Sequence, residues 1–415
     1  MVFDDIVIGS GLAALGAVLG LLPDKGRRIA VLCGPNLNRF SYYDNNRTSP
    51  CAFLGEGGLG THWHGVIPTG QRHVFGESSD RDFTELFARF YPHTQIGVRL
   101  GSAGFFVPWR PVRPFAELAR LAHRVRPERL LLIREEALDL RFDGKGVQAA
   151  TAGGQITATR AWVAAGALHT PALLGRSISP SARRPTVSDH VLCYIGQVGK
   201  PIQPAIAYSR DGLFFPARYD KEETVLYSTR PACFAFRKLD AGIGLRSAFG
   251  LPTGSLLAKL ARRLSAGLLV EAAYNRLGLN PGAAMHSVYA QIPVDDAYEF
   301  GEGDIPLRAQ LSHIRRATDA ARAAQPFAGL RHSCQPQIFL PGIHLHHTLD
   351  QAELTKAGVD LPDSPVQVID ASTLMGVGPD HHSFKLMLKA SLRARSVSVG
   401  EEHSAGSRVP VGLPA

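Results

Sequence analysis

The chain has 415 residues, a length that predicts two to three domains. Hydrophobic residues make up 45% and charged residues 20%, which excludes wholesale disorder, collagen-like repeats and small disulfide scaffolds. The formal net charge is +9, but the basic residues are scattered, without a basic run or a basic stripe interleaved with aromatics. The charge therefore gives no argument for nucleic-acid binding and allows at most a mild preference for anionic partners. Five widely spaced cysteines, Cys33, Cys51, Cys193, Cys233 and Cys334, include no CxxC pair. They suit reduced thiols in a reducing compartment better than a disulfide framework or a metal site.

The first elements carry a motif. Phe3 to Ile8 is a short β-branched run that reads as a buried strand. Gly9-Ser10-Gly11-Leu12-Ala13-Ala14 follows at once, then a helical run to Leu22, then a second strand from Arg28 to Cys33. This is strand, GxGxxA, helix, strand: the dinucleotide-binding βαβ unit. Gly9 permits the tight turn, Gly11 lets the backbone approach a pyrophosphate, and Ala14 allows close helix–strand packing. An acidic residue is expected at the end of the second strand to hold the adenosine ribose. The sequence there is Cys33-Gly34-Pro35-Asn36, leaving Asn36 or a backbone group for that role. The apolar stretch Leu12–Pro23 is preceded by Asp4 and Asp5 and by no basic residue, the reverse of a signal sequence. With no apolar run of membrane-spanning length, the expectation is a cytoplasmic protein without an integral membrane segment.

Gly55 to Pro68 reads GEGGLGTHWHGVIP, with glycines at 57, 58 and 60 and histidines at 62 and 64 flanking Trp63. Such a segment makes a poor core and suits a loop laid against a flat group; a metal held by His62 and His64 lacks further ligands nearby. The βαβ unit together with GGLGTHWHGVIP resembles the glucose–methanol–choline (GMC) flavoprotein oxidoreductases, and Thr61-His62-Trp63 is most similar to their pyranose oxidase branch. The resemblance implies an α/β fold: a Rossmann-type FAD-binding domain with a second α+β substrate domain built on an antiparallel sheet. It implies FAD as cofactor, held by Gly9, Gly11, Ala14, Gly57, Gly58, Thr61, His62 and His64. In the pyranose oxidase branch the matching histidine is covalently linked to the flavin, which here is His62, and His64 would lie near the reactive flavin edge.

Ala161 to Ser177 (AWVAAGALHTPALLGRS) resembles the family's next strand and turn, with a helix starting near Thr170-Pro171. Ser188-Asp189-His190 falls where the family commonly has an Asp-His pair. Tyr194–Tyr208, Leu213–Tyr227 and Met285–Pro293 have strand character. Ser255–Leu277 reads as an amphipathic helix, core-packed or lying on a membrane surface, and Ile314–Ala324 as another helix.

Histidines gather late, in Gly342–Asp350 (GIHLHHTLD) and at His381 and His382. Val366–Asp370 reads as a strand, Gly376–Pro379 as a turn and Ser383–Arg395 as a helix. This resembles the family's closing unit, a strand ending in Asp-x-Ser followed by a residue that acts just before the last helix. The resemblance puts the catalytic pair at His344 and His381, preferred over His346, His347 and His382, with Asp370 and His382 against the cofactor. One imidazole takes the hydroxyl proton of an alcohol and the other orients it while hydride passes to the flavin.

The implied division is FAD-binding over 1–75, 131–195 and 346–400, a cap segment over 76–130, a substrate domain over 196–345, and a flexible tail over 401–415. The implied function is oxidation of an alcohol on a sugar, glycoside or related small molecule, with oxygen, a quinone or a protein carrier as electron acceptor. A redox-neutral lyase or isomerase on the same scaffold, or a non-catalytic flavin-binding protein, are the alternatives.

Overall fold

The computed structural model describes residues 2–42, 50–63, 65–70, 78–100, 102–143, 146–178, 186–187, 190–198, 207–219, 225–229, 286–293, 298–299, 331–339, 346–361, 363–374 and 383–406. A seven-stranded sheet organises them. Its strands are β1 (Val2–Ile8), β2 (Ile29–Leu32), β3 (Leu130–Ile133), β4 (Asp139–Asp143), β5 (Gly146–Thr151), β6 (Gly154–Val163) and β7 (Val366–Val368). Around it lie α1 (Leu12–Leu21), α2 (Asp80–Phe90), α3 (Pro114–Arg124), α4 (His169–Ile178), α5 (Gln351–Lys356) and α6 (Ser383–Gly406).

The parallel part has the order β3-β2-β1-β6-β7, and β6 also pairs antiparallel with β5, which pairs with β4. β6 is long enough to serve both neighbours on one side: residues 154–158 face β5, and 161–163 face β7. The chain leaves β1 toward β2 on one side and meets β6 on the other, so a crevice opens beyond the carboxyl ends of β1 and β6. In open α/β sheets that switch point is where ligands bind.

Period-2 alternation explains the two cores. Val7 and Val31 join a cluster with α1, α2, α3 and α6, whereas Ile6, Ile8, Ala30 and Leu32 join another with α4 and α5. Strands covered on both faces read as near-continuous apolar runs, as IVI and IAVL do. Asp5 is the polar exception within β1. Its fully buried carboxylate accepts from Trp162 Nε1 at 2.8 Å and pairs with Arg27 at 2.9 Å, while Arg27 also reaches Asp24 at 2.9 Å. Burial pushes the Asp5 carboxyl above its ordinary range, against the downward pull of Trp162 and Arg27.

α1 is apolar all round and every one of its ten residues is buried, as expected of a helix covered on all sides. α6 covers its outer face. A Cβ placed on Gly16 would lie 2.2 Å from the Met387 carbonyl oxygen, and one on Gly20 would lie 2.2 Å from that of Ser391. The two helix backbones thus meet where α1 has no side chain. α6 runs on to Gly406, past the Arg395 end expected from sequence, because no proline interrupts it.

α2 begins with a capping box between Ser79 and Asp82 and contributes Phe83 and Phe87 to the α1 core; Leu118 and Leu121 of α3 join the same cluster. The sheet and its layers therefore take in helices from the segment between residues 76 and 130. Four further antiparallel sheets are present among the described residues, two of them two-stranded and two larger. One has five strands, ordered Arg218–Tyr219, Val225–Thr229, His286–Pro293, His190–Val198 and Arg331–Phe339. The other has four, ordered Ala207–Tyr208, Gly212–Pro216, Gly104–Pro108 and Ile67–Thr69. The sequence-predicted helices at 255–277 and 314–324 lie outside the described residues. No described helix is long and apolar enough to cross a membrane.

Candidate functional site

The GxGxxA turn sits at the end of β1, as its spacing requires. Gly9 donates its N–H to Leu32 O at 2.8 Å, and the Ala164 N–H donates to Ile8 O at 2.8 Å. Gly9 has φ +119°, and a Cβ there would lie 2.2 Å from the Ala164 carbonyl oxygen, so only glycine lets β1 turn beside β6. Gly11 is the N-cap of α1 and offers no side-chain acceptor, so the first amides of α1 have no side-chain cap. No acidic residue sits in that first turn. The exposed partial positive charge is suited to an anion.

Ser10 ties the turn to its surroundings. Its hydroxyl donates to Cys33 O at 3.3 Å and accepts from the Gly57 N–H at 3.0 Å. One side chain thus fastens the phosphate-type loop to the end of β2 and to the second glycine segment. That segment forms a 3-10 turn over Gly58–His62. Thr61 closes it by donating to Glu56 O at 2.6 Å, and Arg113 donates to the carbonyls of Thr61 and Trp63. His62 is buried, with its ring 4.7 Å from both Phe40 and Phe53.

These segments wall one cavity of about 400 Å³, within the usual size of small-molecule and cofactor sites. It runs from Leu32–Pro35 and Ala137, past Ile8–Ala13, to Gly58–Gly60, His62, Trp63, Asp370, Ala371 and Ser383. Of the sequence-predicted residues, Gly9, Gly11, Gly58, His62 and Asp370 line it. Ala14 is fully buried and Gly57 supports the wall through Ser10. His64, His344, His381 and His382 lie outside the described residues.

Asp370 acts as a clamp. Its carboxylate accepts from the Gly166 N–H at 2.7 Å, from Thr170 Oγ1, from the Ser372 N–H at 2.9 Å and from Ser372 Oγ. This joins the AAGA turn to the 3-10 turn that follows β7. The segment after residue 345 is bound to the same place. His347 N donates to Ala371 O at 2.9 Å, Thr348 N donates to Ser372 O at 2.8 Å, and Thr348 Oγ1 donates to Ala167 O. Ala371 and Ser383, the first residue of α6, both line the cavity. His346 is buried but is not a lining residue.

Sequence reasoning gave no role to four other lining residues: Trp63, Glu136, His169 and Arg176. Trp63 Nε1 and His169 Nε2 are buried polar atoms without a hydrogen-bond partner among the described residues. Burial is the largest influence on His169 and lowers its pKa, favouring the neutral imidazole. Cys33 also lines the cavity; burial pushes its thiol up to about 12. Among the described residues no group of three His, Cys, Asp or Glu side chains is placed to hold a metal ion.

No family model and no curated protein sequence matches the chain. Solved structures do. Pyridoxine 4-oxidase from Mesorbium loti aligns with a TM-score of 0.50 at 14% identity, over 96% of this chain and 99% of that one. Formate oxidase from Aspergillus oryzae, solved in work on FAD modification, aligns with a TM-score of 0.51 at 11% identity, over 97% of this chain and 99% of that one. The chain has the fold of the GMC oxidoreductases, as the resemblance in its sequence implies.

Proposed function

We propose that the chain is an FAD-dependent oxidoreductase of the GMC type that oxidises an alcohol group on a small molecule. The observation that carries this reading is the single cavity that joins the GxGxxA turn to His62, Trp63 and the start of α6. Its walls fit the cofactor. An uncapped helix start meets the middle of the cavity, where a pyrophosphate belongs. Gly34, Gly58 and Gly166 line it, and a Cβ on any of them would meet no atom within 4 Å. Side chains at these positions would project into the space that the cofactor needs. Trp63 Nε1 and His169 Nε2 present one donor and one further ring nitrogen without hydrogen-bond partners among the described residues.

Bound FAD supplies the acceptor for the two electrons removed from the alcohol. The remaining work falls to the chain. Gly9, Gly11 and the α1 amides hold the pyrophosphate. His62 and Trp63 flank the flavin end, and a covalent link through His62 is part of the reading. His344 takes the hydroxyl proton, because a neutral imidazole accepts a proton near pH 7. His381 hydrogen-bonds the same hydroxyl and fixes the carbon for transfer. The N-terminus of α6 adds partial positive charge at that end of the cavity.

The test is the visible spectrum of the purified protein, followed by acid precipitation and a panel of sugars, glycosides and aryl alcohols with a dye acceptor. Flavin bands and substrate-dependent bleaching are expected, with a yellow pellet if the link to His62 is made and a yellow supernatant if it is not. Absence of flavin bands after incubation with FAD overturns the reading. Turnover with no acceptor and no bleaching transfers the protein to redox-neutral chemistry.

A further inference from the structure

The end of β2 lacks the acid that should hold the adenosine ribose, and the structure offers a carboxylate one strand away. We infer that Glu136 binds the ribose diol of the dinucleotide in place of that missing residue; the inference rests on the FAD reading above.

At the end of β2 the backbone amide of Gly34 is already engaged with Glu135 O, and neither side chain there is placed for the task. Cys33 carries a buried thiol that stays protonated at neutral pH, and Asn36 is exposed and is not among the lining residues. β3 pairs with β2 in parallel, and the pairing continues beyond both strands. Cys33 N donates to Ile133 O at 2.8 Å, and Gly34 N donates to Glu135 O at 3.0 Å. The chain after β3 therefore runs beside residues 33 and 34, and the next residue, Glu136, lines the cavity together with Ala137. Parallel neighbours are about 4.8 Å apart, a shift that a long carboxylate side chain can span.

Its neighbours are engaged elsewhere. Arg134 pairs with Glu56 at 2.7 Å, and Glu135 accepts from the Gly153 N–H at 3.0 Å. Glu136 has no hydrogen bond or ion pair among the described residues. The same end of the cavity carries Leu37, an apolar side chain 58% exposed, which offers a face for the adenine. An ionised carboxylate accepts two hydrogen bonds at once, which matches two adjacent hydroxyls. It would also repel a 2′-phosphate.

The experiment is a fluorescence titration of apoprotein with FAD, ADP and 2′-deoxyADP, all arms carrying His62→Ala so that no covalent anchor contributes. Glu136→Gln is expected to weaken FAD about tenfold, the loss typical of a hydrogen bond to a charged group. It should also erase the preference for ADP over 2′-deoxyADP, with an unchanged circular dichroism spectrum. Glu135→Gln, which alters the adjacent charge without facing the cavity, should keep the parent affinity. Equal FAD affinity in the Glu136→Gln and parent proteins overturns the inference alone, as does an equal loss in Glu135→Gln. A parent that binds neither FAD nor ADP overturns the cofactor reading itself.

Discussion

Gly20→Ala tests whether the α1–α6 contact sets the stability of the seven-stranded sheet and its helices. The added Cβ would lie 2.2 Å from Ser391 O and 2.9 Å from the Ala394 Cβ. Carbon atoms in contact sit about 3.5–4 Å apart, so the helices must part by roughly an ångström or distort. Backbone, rather than a flexible side chain, is the obstacle, so relief requires moving a whole helix. Overpacking of this kind costs about 1–3 kcal/mol, and a rigid backbone clash belongs at the upper end. Alanine returns about 1 kcal/mol through its better helix propensity. The net expectation is a loss of about 2 kcal/mol, read as a lower urea midpoint with unchanged slope. Gly97→Ala is the control, since a Cβ there meets nothing within 4 Å. The effect should extend to the cavity, because α6 begins at the lining residue Ser383; FAD should dissociate more readily from the variant. A Gly20→Ala protein as stable as the parent, or more so, would refute the close-contact argument.

Three other expectations follow from named contacts. Arg27→Met removes the partner of buried Asp5 and should cost about 3–5 kcal/mol at pH 7.5. Asp5 has a raised folded pKa, so its contribution to stability is full below its unfolded value of 3.8 and is lost as pH rises through the folded value. Losing Arg27 raises that value further, so the stability gap in urea melts should narrow at pH 4.5; a gap that widens there contradicts the assignment. Cys33, with its thiol up near 12 and its side chain buried, should resist iodoacetamide at pH 8 until the protein is unfolded. Peptide mapping that finds Cys33 alkylated equally fast in both states would count against this burial. Asp370→Ala strips the shared acceptor from Gly166, Thr170 and Ser372 and should cost at least about 3 kcal/mol. Its melting temperature should fall whether or not FAD is present, whereas a loss seen only with FAD would make Asp370 a direct cofactor ligand.

The βαβ unit was legible because its signal is local: Gly9, Gly11 and Ala14 fall within six residues, between two apolar strands. The Thr61-His62-Trp63 turn was legible for the same reason, and His62 does line the cavity. Glu136 was not. Its position depends on β3 lying beside β2, a pairing across about a hundred residues that no short pattern records. His169 was inside a quoted motif, yet its place on the wall follows from the Asp370 clamp, which joins residues 166 and 170 to a turn some two hundred positions later. α2 and α3 look like any amphipathic helices; only their packing puts Phe83, Phe87, Leu118 and Leu121 around α1.

The covering of α1 by α6 also has a consequence for the order of synthesis. α1 is wholly apolar, and α6, the helix that covers it, starts some 360 residues later. β7, which completes the parallel edge of β6, also arrives some two hundred residues after its partner. Until then a growing chain holds an uncovered apolar helix and an unpaired strand edge, both prone to association. Completion of the sheet edge and of the layer around α1 therefore has to wait until β7 and α6 have been made.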